Sequence, residues 1–341
     1  MNSTQLVDSI KDVKVEEDET LVSFDVVALY TSVPQDEALQ LINEKLVHDE
    51  NLHDRAKIPA EKIMKLLKIC VENTYFHFNG KMYKQVNGLA IGAPTSGFAA
   101  GIFMHRLEKR ALATFAHAPP LWKRYVDDIL SKIKKHLVDL FLAHLNTMHE
   151  RIKFTHEDMI DRMLPFLEVE IHINDDGSLK FKIYRKPTHT NQYLMFDSNH
   201  HINHKLGVVA TLNHRANVLI TEEDDKKEEE QLLKNAMRNC KYPDWAIDHK
   251  KKGKTEEAES TKNQDEKLRG KVVAPYVKSV SEQLAKIWKK YGIETIHRPV
   301  NKLKGLVCSM KQPVHPLDRD GVIYDVDCRV HTTEPGKTLY I

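Results

Sequence analysis

The chain has 341 residues, 41% hydrophobic and 29% charged, the balance of a folded protein with room for one large domain or two modest ones. Its net charge of +2 supplies no global basic field, so a nucleic-acid surface must come from local clusters of Lys and Arg. Cys70, Cys240, Cys308 and Cys328 form no CxxC pair, which argues against a disulfide framework or zinc module and fits a reducing, intracellular compartment.

The polar, acidic N-terminus has no signal-peptide pattern. The first element is a buried strand over 21–29 (LVSFDVVAL), carrying one charge, Asp25. Ser32 and Gln35 have capping-box spacing, with Pro34 in the first turn, and Ala38, Leu39, Ile42 and Leu46 give the next helix its apolar face. A second helix over 60–71 presents Ile63, Leu66, Leu67 and Cys70.

Residues 76–85 predict a hairpin turning at Asn79-Gly80. A glycine-rich stretch over 88–97 (GLAIGAPTSG) leads into a helix over 96–114. The weakly charged run 88–105 is too short and too broken by glycines and Pro94 to cross a membrane. Residues 122–133 predict strand, tight turn and strand. A helix over 136–151 follows, with Leu137, Leu140, Phe141, Leu145 and Met148 on one face. Another hairpin spans 164–184, turning at residues 175–178. The order β-α-α-β-β-α-β-β-α-β-β predicts an α+β fold, an antiparallel sheet with helices on one side.

Beyond Lys186 the pattern is helical. Val209, Leu212, Ala216 and Leu219 repeat at helical spacing, as do Leu233, Ala236, Met237 and Cys240, and a short segment at Trp245 completes a three-helix unit. Residues 250–271 are almost wholly polar or charged and read as a solvated linker. Order resumes at VVAPYV with a helix over 281–291, stopped by Gly292.

Phosphoryl transfer to a nucleic acid needs two divalent ions about 3.5–4 Å apart, and Mg²⁺ takes hard oxygen ligands, so carboxylates from separate elements must converge. Asp25 closes one strand, and Asp127-Asp128 lie between two strand-like arms in KRYVDDIL. Neighbouring strand residues face opposite ways, so a doublet can serve one site only at a turn. Alone, each motif is equally a solvated turn, and Tyr30 alone is equally a core aromatic. Beside Asp25, the Tyr30 ring would collide with a 2′-hydroxyl and favour deoxynucleotides. The glycines over 88–97 let the backbone approach a base pair or primer.

In this order the motifs resemble those of reverse transcriptases. FDVVALYTSVP is similar to motif A, GLAIGAPTSG to motif B, YVDD to motif C, and LPFLEVEI with its hairpin to the segment entering the primer grip. FDVVALYTSVP with GLAIGAP, and further on YRKPTHTNQYLMFDSNHH and YGIETIHRPVNKLKGL, resemble the Penelope-like retroelements in particular, from about residue 20 to the end.

The resemblance implies a palm over 1–186 with its fingers largely missing, then a helical thumb or helix-turn-helix-like region over 187–250. A linker over 251–271, a connector over 272–320 and the truncated start of a GIY-YIG endonuclease over 321–341 follow. It implies RNA-directed DNA synthesis on an RNA template and DNA primer, using deoxynucleoside triphosphates and two Mg²⁺ ions, with Mn²⁺ as a substitute. Asp25, Asp127 and Asp128 would hold the metals, with the Val26 carbonyl assisting. Tyr30 would gate the sugar, and Gly92, Ala93 and Pro94 would line the nucleotide and template.

Lys123, Arg124, Tyr125, Arg185 and Lys186 are candidate nucleic-acid contacts, as are Lys205, Arg215 and Lys250 to Lys252. Ile91 stands where many reverse transcriptases have Gln, Ala93 where they have Ser and Gly97 where they have Pro, so finer nucleotide contacts differ while the acids remain. With fingers and nuclease incomplete, the expectation is an element copy shortened at both ends, nuclear in residence. The alternative is an inactive, nucleic-acid-binding remnant.

Overall fold

The computed structural model describes residues 2–79, 81–248 and 269–299. In chain order it forms α1 (Ser3–Ile10), β1 (Glu19–Val26), α2 (Leu29–Ser32), α3 (Gln35–Val47), α4 (Leu52–Arg55), α5 (Ala60–Glu72), β2 (Tyr75–Phe78) and β3 (Lys81–Lys84). Next come α6 (Pro94–Thr114), β4 (Leu121–Tyr125), β5 (Asp128–Lys134), a 3₁₀ turn (Lys135–Leu137), α7 (Val138–Thr147), β6 (Phe154–Asp158), β7 (Met163–Phe166), β8 (Val169–Ile173) and β9 (Leu179–Ile183). The remainder is α8 (Ile202–Leu219), α9 (Glu223–Asn239), α10 (Asp244–Ile247), β10 (Gly270–Tyr276), α11 (Ser281–Lys290) and β11 (Ile293–Pro299).

Contacts divide the chain into two units, residues up to 192 with 211–237, and 193–210 with the residues after 237. In the first unit, a four-stranded sheet in the order β4-β5-β1-β6 is antiparallel throughout. Because side chains alternate across a strand, the sheet buries apolar residues on both faces. Val22, Phe24, Val26, Ile129 and Ile133 join a core with α3, α6 and α7. Leu21, Leu121 and Leu130 join a second core with α1, the antiparallel sheet β7-β8-β9, and Ala216, Leu219 and Leu233 of α8 and α9. The architecture is α+β, with antiparallel sheets and helices.

Several elements differ from the sequence reading. The N-terminal segment, read as a polar lead, forms α1, capped by Asn2, with Leu6, Val7 and Ile10 buried. Strand β1 stops at Val26 because Ala28 adopts a left-handed conformation (φ 49°), and Leu29 enters a helix instead. The capping box does not form. Ser32 ends α2, while the Gln35 side chain donates to the Gly88 carbonyl at 2.6 Å. Strand β6 was not anticipated, and the hairpin over 164–184 has three strands. Leu66 and Leu140, assigned to buried faces, are exposed. Of the Asn79-Gly80 turn, Gly80 lies outside the described residues, while Asn79 has φ 47°.

In the second unit, Phe196 packs edge-on against Tyr242 and Trp245, with the Lys205 ammonium 5.2 Å from its ring centre. Parallel strands β10 and β11 flank α11, which ends where Gly292 takes φ 72°. Strand β10 opens at Gly270, inside the stretch read as linker. The rest of that linker, Lys250 to Lys252 and the endonuclease-like end lie outside the described residues.

Candidate active site

Antiparallel pairing sets the acids. Asp25, one residue from the end of β1, is the register partner of Asp128, the first residue of β5. Both have the strand parity of Leu21 and Leu130, so they project from the face opposite Phe24 and Ile129. Tyr125 and Asp128 are themselves paired, leaving Val126 and Asp127 as a two-residue turn. Val126 has φ 58°, unusual for a β-branched residue, and such strain marks positions that the surrounding structure holds in place. The turn carbonyl of Asp127 accepts from the Val26 N–H at 3.3 Å, tying the doublet to the end of β1.

Electrostatics report crowding of like charge. Burial and then the Asp127 charge push the Asp25 carboxyl above its ordinary value, with Glu157 adding to the effect. Asp128 is raised by burial, then by Asp127, Asp25 and Glu157, while the Lys186 charge pulls it back. Glu157 lies in β6, opposite Ser23 of β1, and shares the parity of Asp25. It is a fourth acid on this face, missed in the sequence because β6 was missed.

The turn is braced from behind. The buried Glu108 carboxylate of α6 accepts from Trp122 Nε1 at 3.2 Å and from Arg124 Nε at 2.7 Å. The same guanidinium donates to the Val126 carbonyl at 3.1 Å and the Gly101 carbonyl at 3.4 Å. Arg124, expected at phosphate, is thereby engaged inside the fold. Burial raises the Glu108 carboxyl, and the Arg124 charge opposes it. Arg185 is likewise engaged, in a paired contact with Glu229, and Arg215 lies 3.2 Å from Glu168. Lys123 is half-buried on β4, and Tyr125 is exposed beside the turn.

The motif-A and motif-B segments meet at α2. Leu89 N–H donates to the Tyr30 carbonyl at 2.6 Å, beside the Gln35–Gly88 contact. Gly88 has φ +69°, and a Cβ there would lie 2.4 Å from the Thr31 carbonyl oxygen, so only glycine fits. Gly92 also has positive φ, Ala93 caps α6 and Pro94 is its first residue, where a missing N–H costs nothing. Tyr30 borders a cleft of about 270 Å³, with Gly97, Gly101, Arg124, Tyr125 and Val126 on its walls. The structure thus brings Tyr30 to the doublet turn, while Val26 is buried.

Among the described residues, no three or more His, Cys, Asp or Glu form a ready metal cage. Magnesium does not require one, since it is held by one or two carboxylates with water and substrate phosphates. The paired Asp25 and Asp128, with Asp127 beside them, offer hard oxygen donors whose mutual repulsion a cation would relieve. The donor set fits the ion. No described helix is long and apolar enough to cross a membrane.

The described chain is an α+β protein whose antiparallel sheet gathers acidic side chains beside one tight turn. A family model described as the animal helix-turn-helix domain matches residues 192–252, whose described part holds α8, α9 and α10. No curated protein matches the chain.

Telomerase from Candida albicans, in complex with a TWJ fragment of telomeric RNA, is similar over 70% of this chain and 42% of its own. The identity is 12% and the TM-score 0.47. Apo telomerase from Candida Tropicalis is similar over 70% and 43%, at 13% identity and a TM-score of 0.41. The Sicinivirus 3Dpol RNA dependent RNA polymerase is similar over 70% and 50%, at 13% identity and a TM-score of 0.42. The chain spans half or less of the length of these structures.

Proposed function

We propose that the chain is the palm of an RNA-directed DNA polymerase of a Penelope-like retroelement, extending a primer 3′-hydroxyl with deoxynucleoside triphosphates on an RNA template. The observation that carries this reading is the cross-strand pairing of Asp25 with Asp128, with Asp127 in the adjoining turn. A structural role alone gives no reason to crowd acids whose charges oppose one another.

Asp25, Asp127 and Asp128 would hold two magnesium ions. When bound, these supply charge for the attacking and leaving oxygens of an in-line displacement. The chain's own contribution is placement. Arg124 fixes the Val126 carbonyl, and with it the doublet turn. Tyr30 walls the cleft beside that turn, where a ring excludes a 2′-hydroxyl by bulk. The α8–α10 region would serve as thumb or as a helix-turn-helix nucleic-acid contact, and residues 321–341 as the start of a GIY-YIG module, in a nuclear protein.

A primer-extension assay on an RNA template tests the reading. Asp127→Asn should lower incorporation on the order of 100-fold or more while template binding persists. The second reading, a non-catalytic nucleic-acid-binding remnant, is favoured by the helix-turn-helix match over 192–252. Binding without incorporation by the unaltered chain selects it.

A further inference from the structure

We propose that the β2–β3 hairpin is a stacking platform for unpaired RNA template, an inference that rests on the polymerase reading for the strand it names. The hairpin joins α5 to the glycine loop, and its rings stand in solvent. Tyr75 is 57% exposed, Phe76 51% and Tyr83 41%, and every side chain of β3 is exposed. Phe76 and Tyr83 are register partners, so both rings lie on one face of the ribbon. They are already stacked, with centroids 5.5 Å apart and planes 16° apart, forming a preformed aromatic face. Every nucleobase has a π-face, so such a surface binds unpaired strands without sequence preference.

Charge selects the partner. No Asp or Glu occurs between Glu72 and Glu108, in a chain with 49 such residues. The same stretch has Lys81 and Lys84 on the hairpin, exposed and with no acidic partner among the described residues. Exposed aromatics interleaved with unpaired lysines and free of acids suit a polyanion that also presents flat rings. An apolar protein surface would leave the two ammonium groups unanswered.

Position ties the hairpin to the site. Gln85 N–H returns to the Thr74 carbonyl at 2.9 Å, closing the base of the ribbon. Three residues on, Gly88 and Leu89 are fastened to Gln35 and Tyr30. A template strand on these rings would therefore lead toward the glycine loop and the Tyr30 cleft.

The test is fluorescence anisotropy of the full chain with a labelled single-stranded RNA, the same sequence as DNA, and an RNA duplex. Phe76→Ala with Tyr83→Ala should weaken single-stranded RNA binding about tenfold or more, with duplex affinity and melting temperature unchanged. Phe76→Tyr should retain binding, because a ring remains. Lys81→Gln with Lys84→Gln should reduce the salt slope by roughly one.

Unaltered single-stranded RNA binding in the double ring variant overturns the proposal. So does a loss confined to DNA, or loss of self-association in sedimentation with RNA binding intact. Primer extension separates the two readings. Extension by the unaltered chain with normal RNA binding by the ring variant removes the platform alone. Weakened RNA binding without extension by the unaltered chain removes the polymerase alone.

Discussion

Asp25 and Asp128 face each other as paired residues of antiparallel strands β1 and β5, and both carboxyls are pushed toward their protonated form. Like charges placed directly opposite on one sheet face destabilise it. The acids are a standing cost to the fold, which a cation in the site would offset.

That cost has a pH signature. A carboxyl whose folded pKa lies above its unfolded value costs nothing while both states are protonated, and it costs stability once pH rises past about 3.9. Asp25→Asn should therefore raise the melting temperature by about 2 °C near neutral pH, with the gain shrinking as pH falls toward 4. Millimolar magnesium should stabilise the unaltered chain at neutral pH and leave Asp25→Asn unmoved. Thermal unfolding across pH, with and without the ion, measures both. A variant less stable than the parent at neutral pH would contradict the charge argument.

Arg124 answers a buried charge and braces a strained turn at once. Arg124→Ala leaves Glu108 uncompensated, and breaking such a pair costs about 3 kcal/mol. Urea unfolding should show that loss. Glu108→Gln, which keeps a hydrogen-bond acceptor, should cost less. If the two variants are equally stable, the pair does not hold the turn.

The two glycines of the loop should respond differently to alanine. At Gly88 the new methyl meets the Thr31 carbonyl oxygen at 2.4 Å as well as a positive φ, so Gly88→Ala should cost more than about 2 kcal/mol. At Gly92, with φ +94°, no atom lies within 4 Å of the added carbon. The cost there should be about 1 kcal/mol of backbone strain. Denaturant midpoints of the two variants give the comparison.

Tyr30 should govern sugar choice if the cleft beside the doublet turn holds the nucleotide. Tyr30→Val should raise ribonucleotide incorporation relative to deoxynucleotide by roughly 10- to 100-fold, the scale of a steric difference in a packed pocket. Single-nucleotide insertion with matched dNTP and rNTP measures it. An unchanged ratio would place Tyr30 in the core and not at the sugar.

Much of the first unit was legible because its patterns are local. Alternating apolar residues in β1, β4 and β5, the length of α6, and a doublet between two strand-like arms are all written in neighbouring residues. Features that depend on distant partners were not legible. Leu6, Val7 and Ile10 make a helix only because a second core receives them, and Phe154–Asp158 pairs only because β1 has a free edge. Gln35 has the spacing of a helix cap, yet a carbonyl 53 positions away takes its amide.

By itself, the sequence determined the types of residue at the site: three acids, an aromatic close behind the first, and a glycine loop between. Tertiary structure decided their company. It set Asp128 opposite Asp25, added Glu157 from a strand the local pattern had hidden, and turned Arg124 inward onto Glu108. The physical reason is range. Side-chain period and turn chemistry act over a few residues, whereas strand register and charge compensation are fixed only when distant segments pack.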